Sequence, residues 1–586
     1  MVNMYHPENQ ITYNNLKKAA KKSAQSDSAG FRIAVVGDSS TQYLSTAIRG
    51  YGAVANVPVQ VMDADYNQID AQLLDPDSET YRFKPDMLLL YLSSEWMWHS
   101  FCMCPLEQRE QFAVQKMEYI RACWECFHKN QPAARILQAN FVQVPDGVFG
   151  NTSALVKSSF LYQVRKLNYL LSEAASDAKT VSILDLDIIQ STYGRVYTHD
   201  SKMKMVAKAM LSLDILPVVA KQVVDIVCAL KGIIKKCLVL DLDNTLWGGV
   251  IGDDGLEGIQ LGELGTGAAF LYLQRWIKEL KERGIILAVC SKNNEETAKI
   301  PFEKHPDMIL RLEDISVFVA NWEDKASNIR NIQRILNIGM DSIVFLDDNV
   351  FERNAVRSQI PEITVPELPE DPAEYLSYLQ SLNLFETVSF SREDRSRTLQ
   401  YQQESLRQSK QQAFANYDDY LKSLDMTATY GAFDTFHTPR IAQLTQRSNQ
   451  FNLRTIRYTE DDILRLSQEK DTYTCWFELK DKFGDYGLIS VLIMRKQDDQ
   501  TLFIDTLLMS CRVLKRGMEQ FVVNTIASIA KEAGFQRVIG EYIPTAKNAM
   551  VSDLYPRMGF AAVDENHYLM DVETFVPHCI YIKEDS

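Results

Sequence analysis

The chain has 586 residues, 46% of them hydrophobic and 24% charged, with no long low-complexity tract. That is too long for one hydrophobic core, so about three or four domains are expected and extended disorder is excluded. The formal net charge of -15 opposes any hold on a phosphate backbone, which depends on Lys and Arg displacing counterions, and so excludes nucleic acid as a partner.

Met1 to Gly30 is polar, and Lys-rich after Asn15, without the apolar segment a secretory signal requires. No later run approaches a membrane span, so the expectation is a cytoplasmic protein with no membrane partner. Ten scattered cysteines then read as reduced thiols. Cys102, Cys104, Cys123 and Cys126 could be drawn as a zinc site, but the CxC spacing is unusual. Trp124 and Phe127 point instead to a packed helix.

The first strand-like run, FRIAVVGDSS at Phe31 to Ser40, ends in a Gly-Asp-Ser turn. Others follow at Asp86 to Leu92, Arg135 to Ala139 and Val181 to Leu186, separated by helical stretches such as Glu107 to Phe127. The alternation predicts an α/β domain with a largely parallel sheet over residues 1–230, closing in a helical segment from Ser201 to Leu230.

A second α/β unit is predicted over residues 231–372. Its apolar runs CLVL, IILAV and SIVFL are short enough for buried parallel strands, and helical patterns at Ala268 to Arg283 and Lys325 to Leu336 separate them. Each run passes directly into polar residues: Asp241 to Asp243, Cys290 to Lys292, and Asp347 to Asn349. Ligands of open α/β sheets bind beyond the carboxyl ends of the strands, so these three ends are the strongest clue to a site. Asp241 and Asp243, two apart, leave their strand toward the same side. One carboxylate can attack phosphorus while the other handles a proton, and two anionic partners approach only with a cation between them. Asp347 and Asp348 supply further oxygen ligands for a hard ion. A lone DxD is more often a solvated turn; the three coincident strand ends reverse that reading.

The proline-rich stretch VPELPEDPAEY reads as an extended connector. Residues 373–426 are expected to be a helical connector, with a Gln- and Arg-rich stretch from Arg392 to Leu424. Residues 427–586 form a strand-rich α+β domain with a helix from Gly517 to Gly534.

DLDNTLWGG resembles motif I of the haloacid dehalogenase (HAD) superfamily, Ser291 in VCSKN its motif II, Lys325 in NWEDK its motif III and Asp347 to Asn349 its motif IV. With GGVIGDDGLEGI, LAVCSKNN, NWEDKASNIR and VFLDDNVFERNAVR, the string resembles the FkbH-like branch, subfamily IIIC. The resemblance implies a Rossmann-like parallel sheet and a magnesium-dependent phosphatase or phosphotransferase. Asp241 would be the nucleophile that becomes an aspartyl phosphate, Asp243 the general acid and base, and Ser291 and Lys325 the holders of the phosphoryl group. Thr245 would support the motif I loop. Magnesium would be held by the Asp241 carboxylate, the Asp243 carbonyl and a motif IV aspartate, Asp348 in preference to Asp347. The short interval between motifs I and II implies that no large cap domain is present.

FkbH-like proteins load a glyceryl unit from an acyl phosphate onto an acyl carrier protein, which would make a phosphorylated small molecule and a carrier the partners. Cys290 then has two readings, a thioester-bearing nucleophile or a small residue finishing a buried strand. GDSS at Gly37 to Ser40 resembles the first block of SGNH hydrolases, a flavodoxin-like α/β fold, with Ser39 as nucleophile. No GxND block follows, and His199 lacks the aspartate expected three residues earlier, so a degenerate recognition domain is favoured over an esterase. The third domain resembles the GNAT acetyltransferase fold. Arg512 and Gly517 match its pyrophosphate loop, Lys515 replaces a glycine, Asn548 opens the stretch that ends YPRMGF, and Tyr555 would be the acid. An acyl-CoA transferase and a docking module for an acyl or phosphopantetheine chain stand equal. A transferase working through this domain and a non-catalytic biosynthetic scaffold are the alternatives to a phosphatase, and four intact motifs argue against the scaffold.

Overall fold

The computed structural model describes residues 11–23, 30–388, 416–482, 484–510 and 513–585. They fall into two compact units, Met1–Cys228 and Ala229–Ser586. The stretch Arg392 to Leu424 lies mostly outside the described residues; its end forms the helix Tyr417–Ser423.

In the first unit β1 (Phe31–Gly37), β2 (Val59–Asp63), β3 (Met87–Tyr91), β4 (Arg135–Ala139) and β5 (Val181–Leu184) form one parallel sheet in the order β2-β1-β3-β4-β5. Sequence reasoning missed β2. It is a half-exposed edge strand carrying Gln60 and Asp63, so no apolar run marks it. The helix predicted from Glu107 instead starts at Phe112, after a 3-10 turn, and runs to Asn130. It buries Cys123, Trp124 and Phe127, and the Cys126 thiol contacts the Leu73 carbonyl at 2.9 Å, as a packed helix requires. The segment expected to be helical from Ser201 to Leu230 is broken. Lys208 turns left-handed after Ser201–Ala207, and a second helix starts at Leu216, where Pro217 suits a first turn.

The second unit contains two sheets. β6 (Cys237–Leu240), β7 (Ile286–Ser291), β8 (Ile315–Ala320) and β9 (Ile343–Leu346) form a parallel sheet in the order β8-β7-β6-β9. Three of the four are legible as apolar runs; β8 is an edge strand with half-exposed positions. Every residue of β6, β7 and β9 is buried. Between β6 and β7 lie the helices Ile251–Gly258 and Thr266–Glu282.

The other sheet is mixed and eight-stranded: β10 (Met426–Gly431), β11 (Thr472–Asp481), β12 (Gly484–Asp498), β13 (Thr501–Met509), β14 (Arg537–Glu541), β15 (Ala561–Ala562), β16 (His567–Asp571) and β17 (Ile582–Glu584), in the order β15-β16-β14-β13-β12-β11-β10-β17. The parallel pair β13 and β14 is in register only from Thr501 to Ile504 against Arg537 to Gly540. Beyond it the chain inserts its own segment Phe451–Leu453. Leu453 N donates to Leu507 O (3.3 Å), Met509 N to Phe451 O (3.1 Å) and Ile543 N to Leu453 O (2.9 Å).

Candidate active site

The carboxyl ends of β6, β7 and β9 meet on one edge of the second unit. β6 runs directly into Asp241, whose N–H donates to Leu346 O at 2.9 Å, so the strand pairing fixes the first residue of the motif. Asn244 then turns left-handed (φ 55°), a conformation Asn tolerates, and Thr245 and Leu246 bond back to Leu242 O in a tight turn. The turn brings Thr245 beside the β9 end. Its buried hydroxyl donates to Asp348 Oδ1 (3.3 Å) and accepts the Asp348 N–H (3.1 Å).

Lys325 opens the helix Lys325–Leu336, which Asp324 caps. Its ammonium is 2.6 Å from Asp347 Oδ2 and 2.9 Å from Asp241 Oδ2. Burial alone would drive this lysine down, but the two carboxylates outweigh it and hold its pKa above the ordinary value. Burial, reinforced by the Asp241 charge, pushes Asp347 and Asp348 up, and Lys325 works against both.

Asp243 is gripped by three donors: Trp247 Nε1 (2.9 Å) and Ile251 N (3.0 Å) on Oδ1, and Asn293 Nδ2 (3.0 Å) on Oδ2. Burial raises its pKa despite them. Sequence reasoning missed Trp247 and Asn293 as partners of Asp243. Both lie inside the motif strings, but residue type does not reveal which way a side chain turns. Ser291 ends β7 and is buried, with its carbonyl accepting from Asn321 N at 3.2 Å.

Asp241, Asp347 and Asp348 each offer an oxygen, all within 4.8 Å of one another. An all-carboxylate set suits a hard divalent cation rather than a soft one. Lys325 already takes Asp347 Oδ2, while among the described residues the Asp348 carboxylate is bonded by the Thr245 hydroxyl, which leaves Asp348 the freer ligand.

The thioester reading of Cys290 meets a correction. Alternation along β7 sends its side chain to the face opposite Ser291, into a core with Val239, Ala288, Ala326 and Ile329, and the thiol is fully buried. Among the described residues its thiol contacts the Lys325 carbonyl at 3.7 Å, and burial pushes its pKa up, away from the thiolate that nucleophilic attack needs.

The candidate acyl-CoA residues of the third domain are described only in part. Arg512 lies outside the described residues. Gly517 caps the helix Met518–Glu532 at φ 87°, and Lys515 takes the glycine-like φ of 63°. The Lys515 N–H, however, donates to Glu519 Oε1 (2.9 Å), which sets a carboxylate where a phosphate would approach the helix start. Asn548 is fully buried and fully used: Oδ1 accepts from Thr545 N (2.7 Å), and Nδ2 donates to Asn452 O (3.0 Å) and Ile543 O (2.9 Å). Tyr555 packs its ring on Gly540, and burial raises its pKa.

In the first unit Ser39 is buried at the end of β1, and no hydrogen bond links it to His199. His199 Nδ1 faces the Met210 carbonyl (3.1 Å), so it carries the proton there; Glu95 Oε1 lies 3.5 Å away and pairs with Arg195 at 2.9 Å. An acid does stand beside this histidine, then, but it comes from the first turn of the helix Ser94–Met103 rather than from the position the motif expects.

Residues 32–228 match the family model of the FkbH N-terminal domain. Among solved structures, the N-terminal part of the protein BF1531 from Bacteroides fragilis, containing a phosphatase domain and complexed with Mg, is 46% identical, covering 65% of this chain and 100% of that one at a TM-score of 0.62. The ribosomal-protein-S18-alanine N-acetyltransferase from Escherichia coli (15% identity, 25% of this chain and 92% of that one, TM-score 0.20) and Rv2747 from Mycobacterium tuberculosis in complex with CoA and NLQ (14%, 23% and 72%, TM-score 0.19) resemble it too weakly to carry weight. A comparison with the curated proteins finds no match. Fold and site together define a multidomain α/β protein whose first unit matches the FkbH N-terminal domain model and whose second carries a buried carboxylate and lysine centre at its strand ends. With 46% identity over the whole solved chain, the protein belongs to the family of BF1531.

Proposed function

We propose that this protein is a magnesium-dependent phosphatase or phosphotransferase of the HAD type, acting on a phosphorylated small molecule. The observation that carries the reading is the convergence of Asp241, Asp347, Asp348 and Lys325 at the ends of parallel strands. The 46% identical structure whose phosphatase domain was solved with Mg supports it.

Asp241 attacks phosphorus, and the bond from phosphorus to the leaving oxygen breaks as an aspartyl phosphate forms. Asp243, oriented by Trp247, Ile251 and Asn293, delivers a proton to the leaving oxygen; its raised pKa suits that task. It then takes a proton from the water that cleaves the aspartyl phosphate, which releases inorganic phosphate and restores Asp241. Lys325 and Ser291 hold the phosphoryl oxygens. The Asp241 and Asp348 carboxylates and the Asp243 carbonyl would hold the magnesium, with Asp347 fixing Lys325; when bound, the ion supplies positive charge that offsets repulsion between Asp241 and the phosphate.

If phosphate release is coupled to glyceryl or other acyl transfer onto an acyl carrier protein, as the FkbH resemblance implies, Cys290 is badly placed to hold the acyl group, and the carrier's own phosphopantetheine thiol is the better acceptor. A transferase driven by acyl-CoA in the third domain is disfavoured by the inserted Phe451–Leu453 and by Glu519. We assign the first domain a recognition role and the whole chain to the cytoplasm; among the described residues no helix is long and apolar enough to cross a membrane. The test is phosphate release from a panel of phosphate esters and acyl phosphates, including 1,3-bisphosphoglycerate, by the wild type and Asp241→Asn. Equal release by both would remove the central assignment.

A further inference from the structure

Arg353 sits in the first turn of the helix Val350–Gln359, where a cation opposes the helix dipole, and only 2% of it is exposed. Such a placement costs stability unless specific partners offset it. The partners are the backbone carbonyls of the two motif IV aspartates: Arg353 Nη1 donates to Asp347 O at 2.8 Å and to Asp348 O at 2.6 Å. The other side of the guanidinium is held by Glu367, with Nε donating at 3.1 Å and Nη2 at 3.0 Å to Oε2.

Glu367 belongs to the proline-rich connector, which is itself fastened along the site. Thr364 accepts from Phe345 N (2.9 Å) beside β9, Arg357 donates to Val365 O (2.7 Å), and Tyr375 OH donates to Asn244 O (3.4 Å) in the motif I turn. One segment thus braces, from behind, both loops that carry the carboxylates. Planar guanidinium geometry is what spans two carbonyls and a carboxylate at once; an ammonium cannot.

We propose that Arg353, held by Glu367, is the positioning residue that fixes the Asp347–Asp348 backbone so that its carboxylates face Asp241, and that it thereby sets the affinity of the site for a divalent cation. The inference rests on the proposed function only for the use of that cation. Groups behind metal ligands typically change metal affinity by about 10- to 100-fold when removed.

The test is calorimetric titration of Mg²⁺ alone into the full chain, beside Mg²⁺-dependent phosphate release. Arg353→Met is expected to weaken Mg²⁺ binding about 10-fold or more, with phosphate release largely recovered at high Mg²⁺. Arg353→Lys should fall between, and Glu367→Gln should weaken binding several-fold while leaving Arg353 in place. A folded Arg353→Met with Mg²⁺ affinity within about twofold of wild type overturns the inference. If that variant does not fold, unchanged affinity in both Arg353→Lys and Glu367→Gln does so. A wild type that binds no Mg²⁺ overturns the proposed function as well, which separates the two failures.

Discussion

Lys325 Nζ lies 2.6 Å from Asp347 Oδ2, and both side chains are sealed from solvent. Removing one member of such a pair strands the other as an uncompensated buried charge. Lys325→Met should therefore lower the unfolding free energy by about 3–5 kcal/mol, read by urea denaturation. A loss below about 1 kcal/mol would show that the Lys325 pairing with Asp347 and Asp241 adds little net stability.

Asp241→Asn should behave oppositely. It removes one negative charge from a crowded acidic site, so the melting temperature should stay level or rise while phosphate release falls by at least ~10³-fold. Chelation of the wild type by EDTA should give the same silence, reversed by added Mg²⁺.

Cys290→Ala is expected to cost about 1–2 kcal/mol of stability through a small cavity and to leave phosphate release unchanged. Native protein should also resist thiol reagents at this position, as mass spectrometry of the labelled peptide would show. Rapid labelling, or loss of carrier acylation alone, would restore the thioester reading.

Burial pushes Asp38 up to about 7, against two hydrogen bonds from Ser93 N to its carboxylate. A carboxyl raised in the folded state favours folding while protonated, so its contribution is complete below about pH 4 and fades as pH rises through 7. Asp38→Asn keeps an acceptor for Ser93 and cannot ionise. The variant should lose less stability than wild type between about pH 5 and 8, by a few kcal/mol, because each tenfold change in proton affinity on folding is worth about 1.4 kcal/mol. Parallel pH profiles for the two proteins would refute this.

The candidate site was readable because its parts are strand ends. An apolar run that turns abruptly polar marks the strand and its carboxyl end, and this located Asp241, Ser291 and Asp347 at strand ends from residue order alone. What could not be read was direction. Cys290 and Ser291 are neighbours in sequence and opposites in space, and the partners of Asp243 and Asp348 depend on how two turns fold. β2 and β8 escaped notice because edge strands bury only part of themselves. In the third domain the type of fold was legible, yet Asn548 turned out to be wholly engaged within the chain, a fact that no spacing rule conveys.

The wedge Phe451–Leu453 also bears on how the third domain comes into being. It sits far upstream of both strands it separates, so the sheet can close only when three stretches distant in sequence meet together. Closure entropy on that scale makes the step slow compared with helix formation nearby. Until it happens, β13 presents an unpaired apolar margin to other chains, and dilute refolding with a chaperone present would favour the native form over aggregation.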